Sequence, residues 1–308
     1  MCRKGPRMPK PLADYPLMTV LSHALRGAIV ATPGKALYVA DYASIEARVV
    51  LWLAGEKHGL ELFRTGADIY LDMASDIYGY PCNKQDHAKE RQMGKIAILG
   101  LGYQMGWSKF QTQCAAADAP IDDDFAQQVV NAYREKYWRI KQMWWDQEAA
   151  TIAACGSRTK REVECGRVAW QKVGRFLYCT LPSGRRLAYP DAEVRKRPTP
   201  WGEERPALTY MGVNSFSRKW TRQAAYGGLL VENITQAVAR DIMGAAMLRL
   251  EQDGRFLPVL TVHDEIVAEG APAQSVQEFE QLVATSPDWA EGLPIACEGF
   301  SAYRYHKF

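Results

Sequence analysis

Leu257-Pro258-Val259-Leu260-Thr261-Val262-His263-Asp264-Glu265-Ile266-Val267-Ala268-Glu269 places three ionisable residues between two apolar, β-branched runs. The pattern predicts two buried strands joined by a tight turn carrying His263, Asp264 and Glu265. Carboxylates among apolar strands are costly unless a metal or a basic partner compensates them, because otherwise they protonate. The triplet therefore reads either as a site or as a hairpin whose turn points its polar residues at water. Asp41 has the same character as Asp264. It ends the buried strand Ala36-Leu37-Tyr38-Val39-Ala40, which follows the Pro33-Gly34 turn and leads into a helix from Ser44 to about Trp52. Two such aspartates on neighbouring strands suit two divalent cations about 3.5–4 Å apart, an arrangement that clamps the attacking and leaving oxygens of phosphoryl transfer. Oxygen ligands of this kind suit Mg²⁺, with Mn²⁺ as a substitute.

The rest of the composition narrows the class. A chain of 308 residues holds one large or two ordinary domains. It has no uncharged apolar run of about 18 residues, and its charged N-terminus lacks an apolar stretch behind it, so a cytoplasmic protein without membrane contact is expected. Seven cysteines without any CxxC argue for reduced core thiols over a disulfide framework or a zinc site. The net charge of +3 is too small to imply a partner. Its distribution is uneven, with Lys160-Arg161, Arg185-Arg186, Arg195-Lys196-Arg197 and Arg218-Lys219 crowded between Arg158 and Arg222. That stretch reads as a solvated face or as a track for a phosphate backbone.

In chain order, residues 1 to about 20 are proline-rich and predict an extended arm. Helices follow over Asp68–Tyr78, Gln85 to about Met105, and one long helix from about Asp122 to Ala154, with Asp122-Asp123-Asp124 complementing its dipole. Short strands run from Val163 to about Tyr210, with a hairpin tip at Leu181–Arg186. Helices over about Leu229–Gln252 and Ala273–Thr285 and an aromatic tail, Phe300–Phe308, complete the chain. Within the second helix Arg91 and Lys95 share a face with Leu99 and Tyr103. Such a stripe offers two cations, an apolar side chain and a ring in an order able to grip a triphosphate, a sugar and a base. Equally, an amphipathic helix exposes its Arg and Lys and packs its Leu and Tyr.

Taken together, these residues resemble family A DNA polymerases of the bacterial DNA polymerase I type, in a phage-like branch. Motif A is similar to Asp41-Tyr42-Ala43-Ser44-Ile45-Glu46-Ala47-Arg48, motif B to Arg91-x3-Lys95-x3-Leu99-Gly100-x2-Tyr103, and motif C to Val262-His263-Asp264-Glu265. Asp68-Ile69-Tyr70 and Tyr226 to Gln236 extend the likeness over most of residues 26 to 270.

The resemblance implies a DNA-directed DNA polymerase acting on primer–template DNA and dNTPs with two Mg²⁺ ions. Asp41 and Asp264 would ligate both metals, with the Tyr42 carbonyl. One ion would activate the primer 3′-OH and the other would hold the triphosphate. Arg91 and Lys95 would bind phosphates, Lys95 also as general acid to pyrophosphate. Tyr103 would sit by the incoming sugar, and Glu46 would exclude a ribose 2′-OH. His263, Arg48 and Gln236 would contact primer or template, and Glu265 would lie near the metals. Where relatives carry Phe or Tyr this chain has Leu99, which implies poor acceptance of dideoxynucleotides. Tyr70 stands where many relatives have a phosphate-binding His. Arg185 and Arg186, in a stretch with no matched equivalent, would touch the DNA backbone.

The fold implied is α+β, an antiparallel polymerase palm sheet backed by helices with inserted helical fingers. Palm would occupy residues 1–67 and 216–308, fingers 68–155, and a β-rich basic insertion 156–215. With about 40 residues ahead of Asp41, thumb and exonuclease domains are expected to be absent, the chain being either the catalytic half of a split polymerase with those domains on a separate polypeptide or a truncated one. The competing readings are a DNA-binding subunit that no longer synthesises and a two-metal nuclease.

Overall fold

The computed structural model describes residues 17–156, 161–198, 202 and 204–306. Most of the expected proline-rich arm, together with Arg158, Lys160 and the last two residues of the aromatic tail, lies outside them. In chain order the elements are α1 (Leu17–Gly27), β1 (Ala36–Tyr42), α2 (Ile45–Ala54), α3 (Lys57–Thr65), α4 (Ile69–Tyr78) and α5 (Ala88–Gly100). Then come α6 (Trp107–Ala116), α7 (Asp123–Lys136), α8 (Trp138–Gly156), β2 (Val163–Cys165), β3 (Val168–Val173) and β4 (Phe176–Thr180). The chain continues with β5 (Arg186–Tyr189), β6 (Glu193–Pro198), β7 (Glu204–Val213), β8 (Trp220–Ala224) and α9 (Gly227–Asp253). It closes with β9 (Leu257–Val262), β10 (Glu265–Gly270), α10 (Val276–Ala284) and β11 (Cys297–Ala302). These divide into two compact units, one from Met1–Ala43, Met243–Thr285 and Ala296–Phe308, the other from Ser44–Ile242 and Ser286–Ile295.

The first unit is built on an antiparallel sheet in the order β11-β1-β10-β9. β1 is central and apolar, so both of its faces must be covered. On one face Tyr38 meets the rings of Phe256 and Phe279 at 4.9 and 5.9 Å, beneath α10, and its hydroxyl donates to the carbonyls of Ala271 and Gln274. On the other, Leu37 and Val39 pack with Val267, Ala31 and Tyr305. The pair of buried strands expected around motif C needs correction. β10 is buried, but β9 is an edge strand with Leu257, Val259 and Leu260 exposed. Among the described residues β9 has a neighbour on one side only, and Pro258, which has no N–H to donate, fits that position.

In the second unit α2 is buried around almost its whole circumference. Helices α3, α5 and α8 pack against it, and two antiparallel sheets follow, β2-β3-β4-β5 and β6-β7-β8, both packed on α8. The expected hairpin tip at Leu181–Arg186 joins β4 to β5, with Gly184 at φ 83°. Other expectations fail in detail. The single helix from Asp122 to Ala154 is two helices, broken at Tyr137, whose buried ring meets that of Tyr133 at 5.0 Å. The new N-terminus at α8 is satisfied by Glu56, whose Oε1 accepts from the Arg139 amide at 2.8 Å. Asp122 does cap α7, accepting from the Phe125 amide. The Gln85–Met105 helix stops at Gly100, passes through a 3₁₀ turn at Leu101–Tyr103, and ends at Gln104 with φ 65°. α1 occupies residues where an extended arm was expected, since no proline interrupts the chain between Pro16 and Pro33.

Candidate active site

The turn between β9 and β10 contains two residues, His263 and Asp264, because Val262 pairs with Glu265. Short hairpin loops need positive φ, and His263 supplies it at 54°. A left-handed non-glycine residue costs about 1–2 kcal/mol, so the turn holds His263 against its own preference. His263 is exposed, Asp264 half-buried and Glu265 buried inside β10. The hairpin lies beside the end of β1, where the Tyr42 amide donates to the Asp264 carbonyl at 3.3 Å. Two aspartates more than two hundred residues apart in sequence thus meet at one end of the sheet.

Asp41 lies opposite Glu265 on β10 and opposite Glu298 on β11. Directly opposed residues of antiparallel strands project to the same face, so these carboxylates form a row across three strands. Glu265 leaves the acidic row chemically by accepting the Tyr305 hydroxyl. Burial and the Glu265 carboxylate push the Tyr305 pKa up to about 12, so the hydroxyl keeps its proton. The Arg26 guanidinium lies over the Tyr305 ring at 5.5 Å. Burial, with the carboxylates of Glu280, Asp41 and Glu298 nearby, pushes the Cys297 thiol up to about 12. Tyr42 is buried, its hydroxyl donating to the Val283 carbonyl, which leaves its backbone as the part that fits a ligand role.

The carboxylates of Asp41 and Asp264 and the Tyr42 carbonyl offer oxygen donors, the chemistry of a hard divalent cation. Among the described residues no three His, Cys, Asp or Glu converge on one metal position. The set therefore fits Mg²⁺ of the kind held by one or two carboxylates, with water and substrate phosphate completing the shell.

In the second unit α5 carries Arg91, Lys95 and Leu99 on its outer face, with Lys95 and Leu99 exposed and Arg91 half-buried. Gly94, buried one turn after Arg91, permits the close crossing with α4, since a Cβ there would lie 2.0 Å from the Tyr70 carbonyl oxygen. That crossing brings Arg91 to Asp68. Asp68 caps α4 by accepting from the Tyr70 and Leu71 amides, and its other oxygen takes the Arg91 Nε at 2.6 Å. The guanidinium keeps its Nη donors and lies over the Tyr70 ring at 5.2 Å. Tyr70 in turn shares a hydrogen bond with Ser44 at 2.7 Å. Beyond the 3₁₀ turn the Tyr103 hydroxyl donates to Glu46 Oε2 at 3.3 Å, and burial, followed by the Glu46 charge, raises the Tyr103 pKa strongly. Gly228 packs against the Tyr103 carbonyl, where a Cβ would come within 2.2 Å, and donates its amide to Gln104 Oε1. The Tyr226-Gly227-Gly228 stretch therefore fixes the end of motif B.

The remaining expected residues divide. Gln236 is exposed on α9, and Arg186 is exposed with its guanidinium 5.5 Å from the Tyr178 ring. Arg185 is exposed but ties the hairpin tip to α9, pairing with Asp241 and donating to the Ala237 carbonyl. Arg48 is buried, donating to the Pro294 carbonyl and lying 4.0 Å from the Phe63 ring centroid, so in this structure its guanidinium serves packing. Sequence reasoning missed Tyr305, Asp68 in its link to Arg91, and Glu298. A lone tyrosine in an aromatic tail carries no signal of its own, whereas Asp68, placed before a helix, was legible as a cap.

The likenesses to known proteins agree with this geometry. A profile described as DNA polymerase family A matches residues 9–298. The chain is 38% identical over 292 residues to the DNA polymerase of Bacillus phage SP02, covering 94% of this chain and 44% of that protein. It is 26% identical to the thermostable DNA polymerase I of Thermus aquaticus, over 93% of this chain and 29% of that one. Mitochondrial DNA polymerase I B of rice (Oryza sativa subsp. japonica) is 27% identical, over 88% of this chain and 24% of that one. In solved structures the fold matches the POL domain of Pol1 from M. smegmatis in complex with DNA primer-template and dNTP, with a TM-score of 0.56 at 20% identity. That match covers 95% of this chain and 44% of the other. The chain spans less than half the length of each of these relatives, and with its motifs in order over nearly its whole length it belongs to DNA polymerase family A.

Proposed function

We propose that this chain catalyses template-directed DNA synthesis, in which the primer 3′-oxygen attacks the α-phosphorus of a dNTP and pyrophosphate leaves. The observation that carries the proposal is the meeting of Asp41 and Asp264 at one end of the β1–β10 ladder. When bound there, Mg²⁺ would supply Lewis-acid activation of the 3′-OH and neutralise charge on the phosphates. Asp41 and Asp264 are the residues that would hold it, with the Tyr42 carbonyl as a further ligand.

The α5 residues supply what a metal site alone lacks. Arg91, its Nε fixed by Asp68, presents Nη donors to phosphate, and exposed Lys95 adds a mobile cation that can pass a proton to the leaving pyrophosphate. The Tyr103–Glu46 hydrogen bond would form one wall of a sugar site, with Glu46 excluding a ribose 2′-OH. Leu99 gives that sugar no ring to lie against, which favours discrimination against dideoxynucleotides. The cationic stripe has no task in simple hydrolysis, and this weighs against a two-metal nuclease. Likewise, retention of both aspartates weighs against a subunit that only binds DNA.

Primer extension with Asp264→Ala tests the reading. Mg²⁺-dependent incorporation should vanish while affinity for primer–template persists, and an unchanged extension rate would sink the assignment. A parallel incubation without dNTP reports nuclease activity. Extension by this chain alone at low salt tests whether it needs a partner polypeptide. Short, distributive products are expected without one, since phosphate contacts supply most DNA affinity.

A further inference from the structure

The hairpin joining β7 to β8 carries an aromatic and basic tip that the synthetic reaction leaves without a task. Phe216 at the tip is 98% exposed and Trp220 is 58% exposed. The loop presenting Phe216 is ordered rather than slack. The Asn214 side-chain oxygen accepts from the Phe216 and Ser217 amides at 3.1 and 2.8 Å, the Arg218 amide donates to the Asn214 carbonyl, and the Asn214 amide donates to the Lys219 carbonyl. Asn214 therefore spends both backbone and side-chain groups on holding the tip in shape. Trp220 pairs with Val213 across the ladder and shares its face. Arg218 and Lys219 lie between the two rings in sequence, both exposed and in no ion pair among the described residues. Residues 205–231 contain no Asp or Glu, so nothing in that stretch neutralises them.

We infer that the β7–β8 hairpin is a binding element for single-stranded DNA, with Phe216 and Trp220 stacking on unpaired bases and Arg218 and Lys219 meeting the flanking phosphates. The rings select the single strand. Bases in a duplex are already stacked on one another and offer no face to a protruding side chain, whereas every base of a single strand does, whatever its identity. The cations select nucleic acid over a neutral protein surface, and the rigid loop limits the ordering cost of binding. The inference needs only that the chain meets DNA, and it stands or falls separately from synthesis.

Fluorescence anisotropy of the full chain with labelled oligo-dT, and with a duplex of equal length, tests it. Phe216→Ala/Trp220→Ala should weaken oligo-dT binding at least about tenfold, with little change for duplex, and Phe216→Trp should bind as well as the wild type. Arg218→Ala/Lys219→Ala should lower the slope of log oligo-dT affinity against log salt by about 1.4, roughly 0.7 for each cation removed. Phe216 touches little, so its truncation leaves the fold intact, which circular dichroism confirms. Unchanged oligo-dT affinity in the ring variants would overturn the inference. So would unchanged DNA binding accompanied by lost binding to anionic phospholipid vesicles, or by lost self-association in sedimentation, which would reassign the hairpin to a membrane or a protein.

Discussion

At the end of β1 the charged groups stand among strands with neighbours on both sides, while along α5 they stand on a half-exposed helical face. Each arrangement has its own means of control. In the sheet, register decides, because a one-residue slip that took Asp41 from its neighbours Glu265 and Glu298 would turn every side chain of β1 to the other face. On α5, one close contact decides, since Gly94 lets the helix approach α4 until Asp68 can hold Arg91, while Lys95 stays free to move. The sheet thus fixes its carboxylates through the backbone and the helix fixes one cation through a side chain. Variants of the sheet should therefore act on chemistry and metal affinity, and variants of the α4–α5 contact on stability and nucleotide binding.

The largest effect expected is at the sheet. Asp41→Ala should lower incorporation at least about a thousandfold, because several kcal/mol of transition-state stabilisation pass through the metal it would hold. It should also weaken Mn²⁺ binding followed by electron paramagnetic resonance, with no loss of duplex binding. A variant that keeps its Mn²⁺ affinity would break the proposed contrast at its strongest point.

Next comes the pair Gly94→Ala and Lys95→Ala on adjacent residues of α5. The alanine methyl at 94 would meet the Tyr70 backbone, and overpacking of this kind costs about 1–3 kcal/mol, read as a lower urea midpoint. Lys95→Ala removes an exposed side chain, so its stability should stay within about 0.5 kcal/mol of wild type while KM for dNTP rises and kcat falls. Equal destabilisation by both would mean that the stripe is structural. A comparable loss of stability, with no expected loss of metal affinity, belongs to Tyr305→Phe, which leaves buried Glu265 without its hydroxyl donor and should cost about 1–3 kcal/mol. The same variant should alter Mn²⁺ affinity little if Glu265 is no ligand.

Much of this was legible in the sequence because it is local. The apolar runs around Asp41 and His263-Asp264-Glu265 announce strands, and the four-residue spacing of Arg91, Lys95 and Leu99 announces a face. What the sequence hid depends on distant partners. Alternation alone cannot say that β9 ends up at a sheet edge, that Tyr305 reaches Glu265, or that Arg185 is claimed by Asp241. Nor does any residue between Asp122 and Ala154 look like a helix breaker, and the interruption at Tyr137 is imposed by tertiary contacts.

That interruption supplies the smallest and most discriminating test. Glu56 is buried, and burial raises its pKa above the usual carboxylate value even though the Arg139 amide and guanidinium favour its charge. The side chain is useful to α8 as an acceptor rather than as an anion. Glu56→Gln keeps the oxygen and removes the charge, so at pH 7 its stability should lie within about 0.5 kcal/mol of wild type, whereas Glu56→Ala uncaps the helix and should lose about 1–2 kcal/mol. The sign of the pH dependence follows from the raised pKa. The folded state binds the Glu56 proton more tightly than the unfolded chain, so this group's contribution is fully present below its unfolded pKa and is lost as pH rises through the folded one. Wild type should therefore gain on Glu56→Gln as pH falls towards the carboxylate range, in urea titrations run side by side. The opposite trend would mean that the Glu56 charge, acting on the dipole of α8, is what holds the break between α7 and α8 in place.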